Sequence, residues 1–274
     1  DIRVNRYEQC SRFRSVRYAQ RNIRRKIMTT EEFIKQLDSF FDREDMNGAG
    51  GFLRSVRKEA ETNRDDRLLF AVLNEMMGYY RKTGERERGL ESIDTGLSLS
   101  SRMGLDGSIA GATAELNAAT TLKAFGMAEH AIPYYEKAKA VYSALLPTYD
   151  SRMAGLCNNY ALALCDLGRY REAEEKFAAA LTVLSRCPEK ECDTANTYVN
   201  MAHLYEASED YEKTEMCIKN ALAVLKSVPD DRRDGYYAFT CRKCAPSVGY
   251  FGFFAAEKEL DNTAEEIYAR NRSL

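Results

Sequence analysis

The residue types that perform most enzyme and metal chemistry are present in this sequence, but they are dispersed. Two cysteines have the spacing Cys241-x-x-Cys244, which would supply half of a structural zinc site. Structural zinc needs four ligands, and no second Cys/His pair has a suitable spacing. We therefore interpret both cysteines as packing residues of a helix, where Cys acts as a small hydrophobic side chain.

Nucleophilic and phosphate-binding chemistry also lack support in the sequence. The two histidines, His130 and His203, are far apart, and neither has an evident Cys or Ser nucleophile as its partner. The glycine-rich run at 48–51 lacks the Lys-Ser/Thr pair and the preceding strand of a phosphate-binding loop. The sequence thus predicts no catalytic residue, no metal site and no cofactor, and we expect the protein not to be an enzyme.

The composition predicts a cytoplasmic protein. The chain has 274 residues and eight cysteines, but it is long and rich in Leu and Ala, unlike short secreted chains held by disulfides. Reduced thiols are therefore expected. No apolar run approaches the roughly 20 residues that a membrane helix needs, so no membrane insertion is expected.

The charge is unevenly distributed along the chain. Residues 1–27 hold nine basic and two acidic residues, whereas the remaining residues have a net charge of −9. Such an acidic body argues against nucleic-acid binding there. Three interpretations of the basic arm stay open: a segment that binds nucleic acid or anionic lipid, a transit sequence, or a translated leader before a start at Met28. The leader is preferred.

An internal repeat indicates which elements would position a site. Four equivalent positions are spaced by 42, 42 and 41 residues: Gly84, Gly126, Gly168 and Glu209. Small residues recur five and twelve residues after each position, and a large residue recurs nine residues after it. Three prolines, Pro147, Pro188 and Pro229, repeat at intervals of 41 where helices must stop. This regularity predicts stacked helix pairs.

The third unit contains the turn Gly168-Arg169-Tyr170-Arg171-Glu172-Ala173, followed by Phe177, and it resembles a tetratricopeptide repeat. The resemblance extends over residues 66–228. The period exceeds the standard value of about 34 residues by about eight, which is close to one extra turn on each of two helices. That longer period is similar to kinesin-light-chain-like repeats and to bacterial peptide-sensing regulators with such repeats.

The resemblance implies an all-α fold: a right-handed superhelix, or α-solenoid, of about six antiparallel helix pairs. We expect a basic arm at 1–27, a capping pair at 28–65, four repeat units at 66–228 and a degenerate pair at 229–274. The first helix should begin at the capping box formed by Thr29 and Glu32 and end at the glycine run 48–51, and residues 52–60 should pair back against it. Terminal pairs should differ because one face has no neighbour.

In tetratricopeptide proteins the first helix of each pair lines a concave groove. The residue nine positions before the turn residue of each pair faces this groove. This position holds Glu75, Asn117, Asn159, Asn200 and Lys243. Asn is unfavourable inside a helix, so helix propensity cannot explain why it recurs at this position in three units. The resemblance implies that these amides bind the backbone of an extended peptide; alternatively, they hold neighbouring helices together. The same alignment adds further groove candidates: Asn74, Asn158, Asn196, His203, Lys123 and Arg81.

The predicted function is therefore a non-catalytic scaffold that binds a protein or an extended peptide in its groove. The alternative is a peptide-sensing regulator whose superhelix changes shape when a small signal peptide binds. Basic residues near both ends of the groove favour a ligand that carries acidic groups; alternatively, they are ordinary charges in contact with solvent.

Overall fold

The first helix begins at the capping box that the sequence predicts. In the computed structural model, which describes residues 28–273, the Thr29 hydroxyl accepts a hydrogen bond from the Glu32 amide at 3.1 Å. The Glu32 carboxylate accepts one in return from the Thr29 amide, also at 3.1 Å. The basic arm predicted at 1–27 lies outside the described residues.

Twelve α-helices within residues 28–273 form six consecutive pairs, with no strand among them. The pairs are α1 (Thr30–Asp42) with α2 (Met46–Asn63), α3 (Asp66–Thr83) with α4 (Arg86–Arg102), α5 (Ile109–Ala124) with α6 (Ala128–Leu145), α7 (Ser151–Asp166) with α8 (Tyr170–Leu184), α9 (Glu191–Ala207) with α10 (Tyr211–Lys226), and α11 (Gly235–Tyr250) with α12 (Phe254–Arg272). A short 3₁₀ turn, Asp230–Arg232, precedes α11. The predicted all-α solenoid is confirmed.

The turn between the two helices of every pair contains a residue with positive φ. The φ angles are 59° at Glu44, 75° at Gly84, 75° at Gly126, 70° at Gly168, 62° at Glu209 and 89° at Gly252. This left-handed conformation is readily adopted by glycine, which has no Cβ. The repeating turn seen in the sequence thus extends to both terminal pairs.

The glycine run at 48–51 does not separate the two helices of the first pair, contrary to the prediction. It lies inside α2, and the chain turns before it, around Glu44. A Cβ added to Gly48 would collide with the Asp45 side chain, and one added to Gly50 would collide with the Tyr79 hydroxyl. These glycines therefore allow close packing of neighbouring groups against α2.

Small and large side chains alternate in the core as the repeat predicts. Ala161 and Ala173, on the two helices of the third repeat unit, are both fully buried. The large residue nine positions after each turn is buried in all four units, and these residues are Ile93, Tyr135, Phe177 and Ile218. The repeated sequence positions thus correspond to one continuous core.

The two ends of the solenoid meet, because α1 contacts α11. The Asn271 side chain of α12 donates a hydrogen bond to the Asp42 main-chain oxygen at 3.1 Å. Arg242 on α11 lies 3.6 Å from the Glu44 carboxylate. The described helices therefore close into a ring, and the contact between its ends is called the joint below. None of these helices combines the length and the apolarity needed to cross a bilayer.

Candidate ligand-binding groove

The first helices of consecutive pairs form the inner wall of the ring. α3 contacts α5, α5 contacts α7, α7 contacts α9 and α9 contacts α11, whereas the second helices of consecutive pairs are further apart. This difference places α3, α5, α7, α9 and α11 on the inside of the curve. The predicted groove residues all lie on these five helices.

Two of the three repeated asparagines are tied to the preceding repeat. Asn117 donates an amide hydrogen bond to the Asn74 side-chain oxygen at 3.1 Å, and Asn200 donates one to Asn158 at the same distance. Asn74 in turn donates to the Phe70 main-chain oxygen at 2.9 Å. These amides therefore help to hold first helices together, and only part of their hydrogen-bonding capacity is left for a ligand.

Asn159 differs from its two counterparts because it has no hydrogen-bond partner within residues 28–273. In each of the other cases, the acceptor is an asparagine one residue before the repeated position in the preceding unit. That position is Leu116 in the unit before Asn159, and leucine cannot accept a hydrogen bond. The half-buried Asn159 amide is thus left with all of its donors and acceptors.

Asn196 does not line the groove, contrary to the prediction. Its side chain is only 8% exposed. The Cys244 thiol on α11 lies 3.7 Å from its side-chain oxygen, as a weak donor. Because α11 packs over this part of α9, Asn196 belongs to the contact between the two helices.

His203 lies on the exposed surface of α9, next to α11. Its Nε2 atom is 2.8 Å from the Ser247 hydroxyl, and its ring centroid is 4.9 Å from that of Phe251. Desolvation lowers the pKa of His203, which favours the neutral imidazole at physiological pH. A neutral imidazole can both donate and accept, so His203 is able to bind a peptide group while it contacts Ser247.

The three predicted cations of the groove have different surroundings. Lys123 is 3.4 Å from the Asp166 carboxylate of the next repeat. Arg81 and Lys243 are exposed and have no hydrogen bond or ion pair within the described part of the chain. Desolvation by the surrounding protein nevertheless lowers the pKa of both.

A cavity of about 520 Å³ lies at the joint, between α1, α3 and α11. Arg81 contributes to its lining from α3, and Tyr236 and Phe239 contribute from α11. The Lys82 ammonium is 4.7 Å from the centre of the Phe239 ring and 5.7 Å from that of Phe41. The sequence pattern did not indicate that these aromatic residues line a cavity, because the cavity forms only where the two ends of the solenoid meet.

The cysteine pair that suggested a partial zinc site is buried. Burial raises the pKa of Cys241 to about 12 and that of Cys244 to about 11, so both thiols are protonated at physiological pH. Within residues 28–273, no group of three or more His, Cys, Asp or Glu side chains could hold a metal ion.

Comparisons with known proteins agree with this geometry. Residues 152–227, on α7 to α10, match the tetratricopeptide repeat family. No curated protein sequence shows a significant match to the chain.

Several solved structures share the fold. BtubC (BKLC) from P. vanneervenii is 23% identical, with a TM-score of 0.61, covering 85% of this chain and 97% of its own. NprR in complex with its cognate peptide NprX is 12% identical, with a TM-score of 0.60, covering 95% of this chain and 73% of its own. A Podosopora anserina putative kinesin light chain with nearly identical TPR-like repeats is 14% identical, with a TM-score of 0.50, covering 74% and 95%.

Proposed function

This chain is a tetratricopeptide repeat protein, and we propose that it is a non-catalytic scaffold that binds an extended segment of another protein in its groove. The observation that carries the proposal is an inner wall with polar groups that have no partner within residues 28–273. Asn159 provides such an amide on α7, and Arg81 and Lys243 provide such charges on α3 and α11. Groups of this kind on one continuous wall favour a polar, elongated ligand.

An extended peptide suits this wall because its backbone carries a donor and an acceptor on nearly every residue. These groups need partners when the peptide leaves water. Asn159 can donate to a peptide carbonyl and accept from a peptide amide at the same time. Such contacts do not depend on the peptide side chains, so binding by Asn159 would tolerate different sequences.

The test compares two adjacent asparagines. Peptides are selected on the wild-type chain from a phage-displayed random library, then synthesised with a fluorescent label and titrated by anisotropy. Asn159→Ala should weaken binding by about tenfold, as expected for one or two lost hydrogen bonds, while unfolding in urea stays unchanged.

Asn158→Ala is the matched control, because Asn158 accepts the hydrogen bond from Asn200. This variant should lose roughly 0.5–1.5 kcal/mol of unfolding free energy and weaken peptide binding less than Asn159→Ala does, because the Asn158 oxygen already accepts from Asn200. Failure to select any peptide on the folded chain would contradict the proposal. Equal binding by wild type and Asn159→Ala would remove Asn159 from the site.

A peptide-sensing regulator is the second candidate function, and the closed ring favours it. The joint combines polar contacts with the stacking of Lys82 on Phe41 and Phe239, and it lies apart from the buried residues of the repeat units, so it can open without disrupting their core. NprR, which shares the fold, was solved with its cognate peptide. Small-angle X-ray scattering with and without a selected peptide separates the two functions: a changed radius of gyration supports a regulator, and an unchanged one supports a static scaffold.

A further inference from the structure

The cavity at the joint has an aromatic wall that already holds one ammonium group. The Lys82 ammonium lies 4.7 Å from the ring centre of Phe239 on α11 and 5.7 Å from that of Phe41 on α1. Tyr236 stacks on Phe239, with 6.3 Å between their ring centroids, and all four residues line the cavity. Aromatic faces attract cations because the π electrons give the face a negative partial charge. This wall, built from both ends of the solenoid, therefore suits an ammonium group.

The remaining lining of the cavity carries an excess of negative charge. Five carboxylates line it, against the two cations Arg81 and Lys82; the carboxylates belong to Asp38, Asp42, Glu44, Glu75 and Asp234. Glu44 lies 3.6 Å from Arg242, and Asp234 accepts a hydrogen bond from a main-chain amide of α11 at 3.0 Å. The side chains of the other three have no hydrogen bond or ion pair within residues 28–273. These three carboxylates are thus available to a cationic ligand.

The carboxylates repel one another between helices. Desolvation raises the pKa of Glu75 on α3, and the charge of Asp38 on α1 raises it further. Desolvation likewise raises the pKa of Asp42 on α1, with further contributions from Asp38 and from Asp234 at the start of α11. The repulsion therefore acts across the cavity, from α1 to both α3 and α11. A cation among these groups would replace it with attraction.

We propose that the joint cavity is a binding site for an aliphatic amine with two ammonium groups. The carboxylates of Asp38, Asp42 and Glu75 accept charge-assisted hydrogen bonds from these groups. The alkyl chain between them packs against the rings of Phe41 and Phe239. The volume of about 520 Å³ lies within the usual range for small-molecule sites. This site goes beyond the proposed function, because it does not depend on the binding of a peptide in the groove.

The first experiment asks whether the carboxylates of the cavity bind a diamine. The wild-type chain is titrated calorimetrically with 1,5-diaminopentane and with 1,5-pentanediol, which has the same chain without charge. The diamine should bind at one site and the diol should not bind. Asp38→Asn/Glu75→Gln should weaken diamine binding by about tenfold.

The matched control removes the same two charges from another surface. Glu87 and Asp94 are exposed on α4, so Glu87→Gln/Asp94→Asn should leave the affinity for the diamine nearly unchanged. Urea denaturation of both double variants checks that they fold. Equal losses of affinity in the two would show a general attraction to acidic surface, and this would overturn the proposal. Absence of saturable diamine binding by the wild type would also overturn it.

The second experiment asks whether the site spans the joint. Asp42→Asn on α1 and Phe239→Leu on α11 should each weaken diamine binding, by about threefold or more, because each end of the solenoid supplies part of the site. Phe254→Leu is the control for the ring, since Phe254 is exposed on α12 and does not line the cavity. Unchanged affinity of either Asp42→Asn or Phe239→Leu would overturn the placement of the site at the joint.

The source of the ammonium groups is resolved with a second probe. They can belong to a free diamine or to lysine side chains of a peptide, and Nα-acetyl-lysine amide carries one such side chain. Binding of this probe as tight as that of 1,5-diaminopentane would assign the site to lysine side chains. Binding weaker by about tenfold, which corresponds to about 1.4 kcal/mol, would assign it to a free diamine.

The third experiment uses a variant that should bind the diamine more tightly. Lys82 occupies the aromatic wall and adds a positive charge to the cavity, so it competes with the ligand for both. Lys82→Gln should therefore tighten diamine binding by about threefold or more. Lys58→Gln removes an equal charge from the exposed surface of α2 and should have little effect. Unchanged or weaker binding by Lys82→Gln would overturn the proposal that the ligand shares the cavity with Lys82.

Discussion

Ala173 lies at a position where α8 has no space for a larger side chain. It is fully buried, as is Ala161 on α7, and Phe177 fills the neighbouring core one turn later. Ala173→Leu should therefore overpack the core and lower the free energy of unfolding by roughly 1–3 kcal/mol, measured by urea denaturation.

The same substitution at Ala178 is the control for Ala173→Leu. Ala178 lies on the same helix but is exposed, so leucine there should change stability by no more than about 0.5 kcal/mol. Equal stability of the Ala173→Leu variant and the wild type would show that α7 and α8 can move apart at this contact.

At the residue scale, the sequence placed the repeated asparagines on the first helices of their pairs but did not describe their bonding. The recurrence of Asn117, Asn159 and Asn200 identified positions on the inner wall. Whether each amide has a partner depends on the residue beside it in the preceding unit, and this differs between repeats. The sequence shows Leu116 and Asn158 at equivalent positions. Only the packing of the helices shows that this position contacts the repeated asparagine of the next unit.

At the scale of the elements, the turn of the fourth repeat unit carries backbone strain that its counterparts lack. Glu209 has a φ of 62°, whereas glycine occupies the equivalent turn position at 84, 126 and 168. The left-handed conformation costs a non-glycine residue about 1–2 kcal/mol, and replacing it by glycine removes this cost. Part of the benefit is lost again, because glycine has more conformational freedom in the unfolded chain. Glu209→Gly should therefore raise the free energy of unfolding by about 0.5–1 kcal/mol in urea titrations.

The reverse change provides the control at the preceding turn. Gly168 has a φ of 70° and open space around a Cβ position, so Gly168→Ala introduces backbone strain without a steric clash. It should destabilise the chain by about 1 kcal/mol. A loss of stability in Glu209→Gly would mean that the exposed Glu209 side chain stabilises the turn by an interaction stronger than the strain.

The helix pairs were predictable because each turn leaves a local signal in the sequence. The positions 84, 126, 168 and 209 repeat at nearly constant spacing, and the structure gives all four a positive φ. The run at 48–51 misled the prediction because glycine marks both turns and close helix contacts. Packing of Gly50 against Tyr79, a residue of the next pair, decides between them.

At the scale of the whole molecule, closure of the ring had no signal in the sequence. The joint connects Asp42 with Asn271 and Glu44 with Arg242, pairs that are separated by most of the chain and belong to no repeat. The number of repeats and the small rotation between them determine whether the ends meet. Those rotations arise from side-chain packing in every unit, so a local pattern cannot predict the closure.

The charge of Asp42, a residue of the joint, makes the free energy of unfolding dependent on pH. Desolvation raises the pKa of Asp42, and the nearby carboxylates of Asp38 and Asp234 raise it further, against a smaller opposing effect of Arg43. Because the pKa is higher in the folded chain than in the unfolded chain, protonation of Asp42 favours folding. Its ionised form therefore opposes folding at neutral pH, and this cost disappears as the pH falls below both pKa values.

Asp42→Asn should consequently stabilise the chain at neutral pH, by no more than about 1 kcal/mol because the group is partly exposed. The difference from wild type should shrink as the pH falls, since wild-type Asp42 then becomes neutral as well. Urea denaturation of both chains at a series of pH values measures this. Asp166 is the matched control: it ends α7 as Asp42 ends α1, but it lies 3.4 Å from Lys123, so Asp166→Asn should not stabilise the chain. An Asp42→Asn variant less stable than wild type at neutral pH would show that the Asp42 carboxylate holds the joint together through favourable contacts that outweigh its repulsion by Asp38 and Asp234.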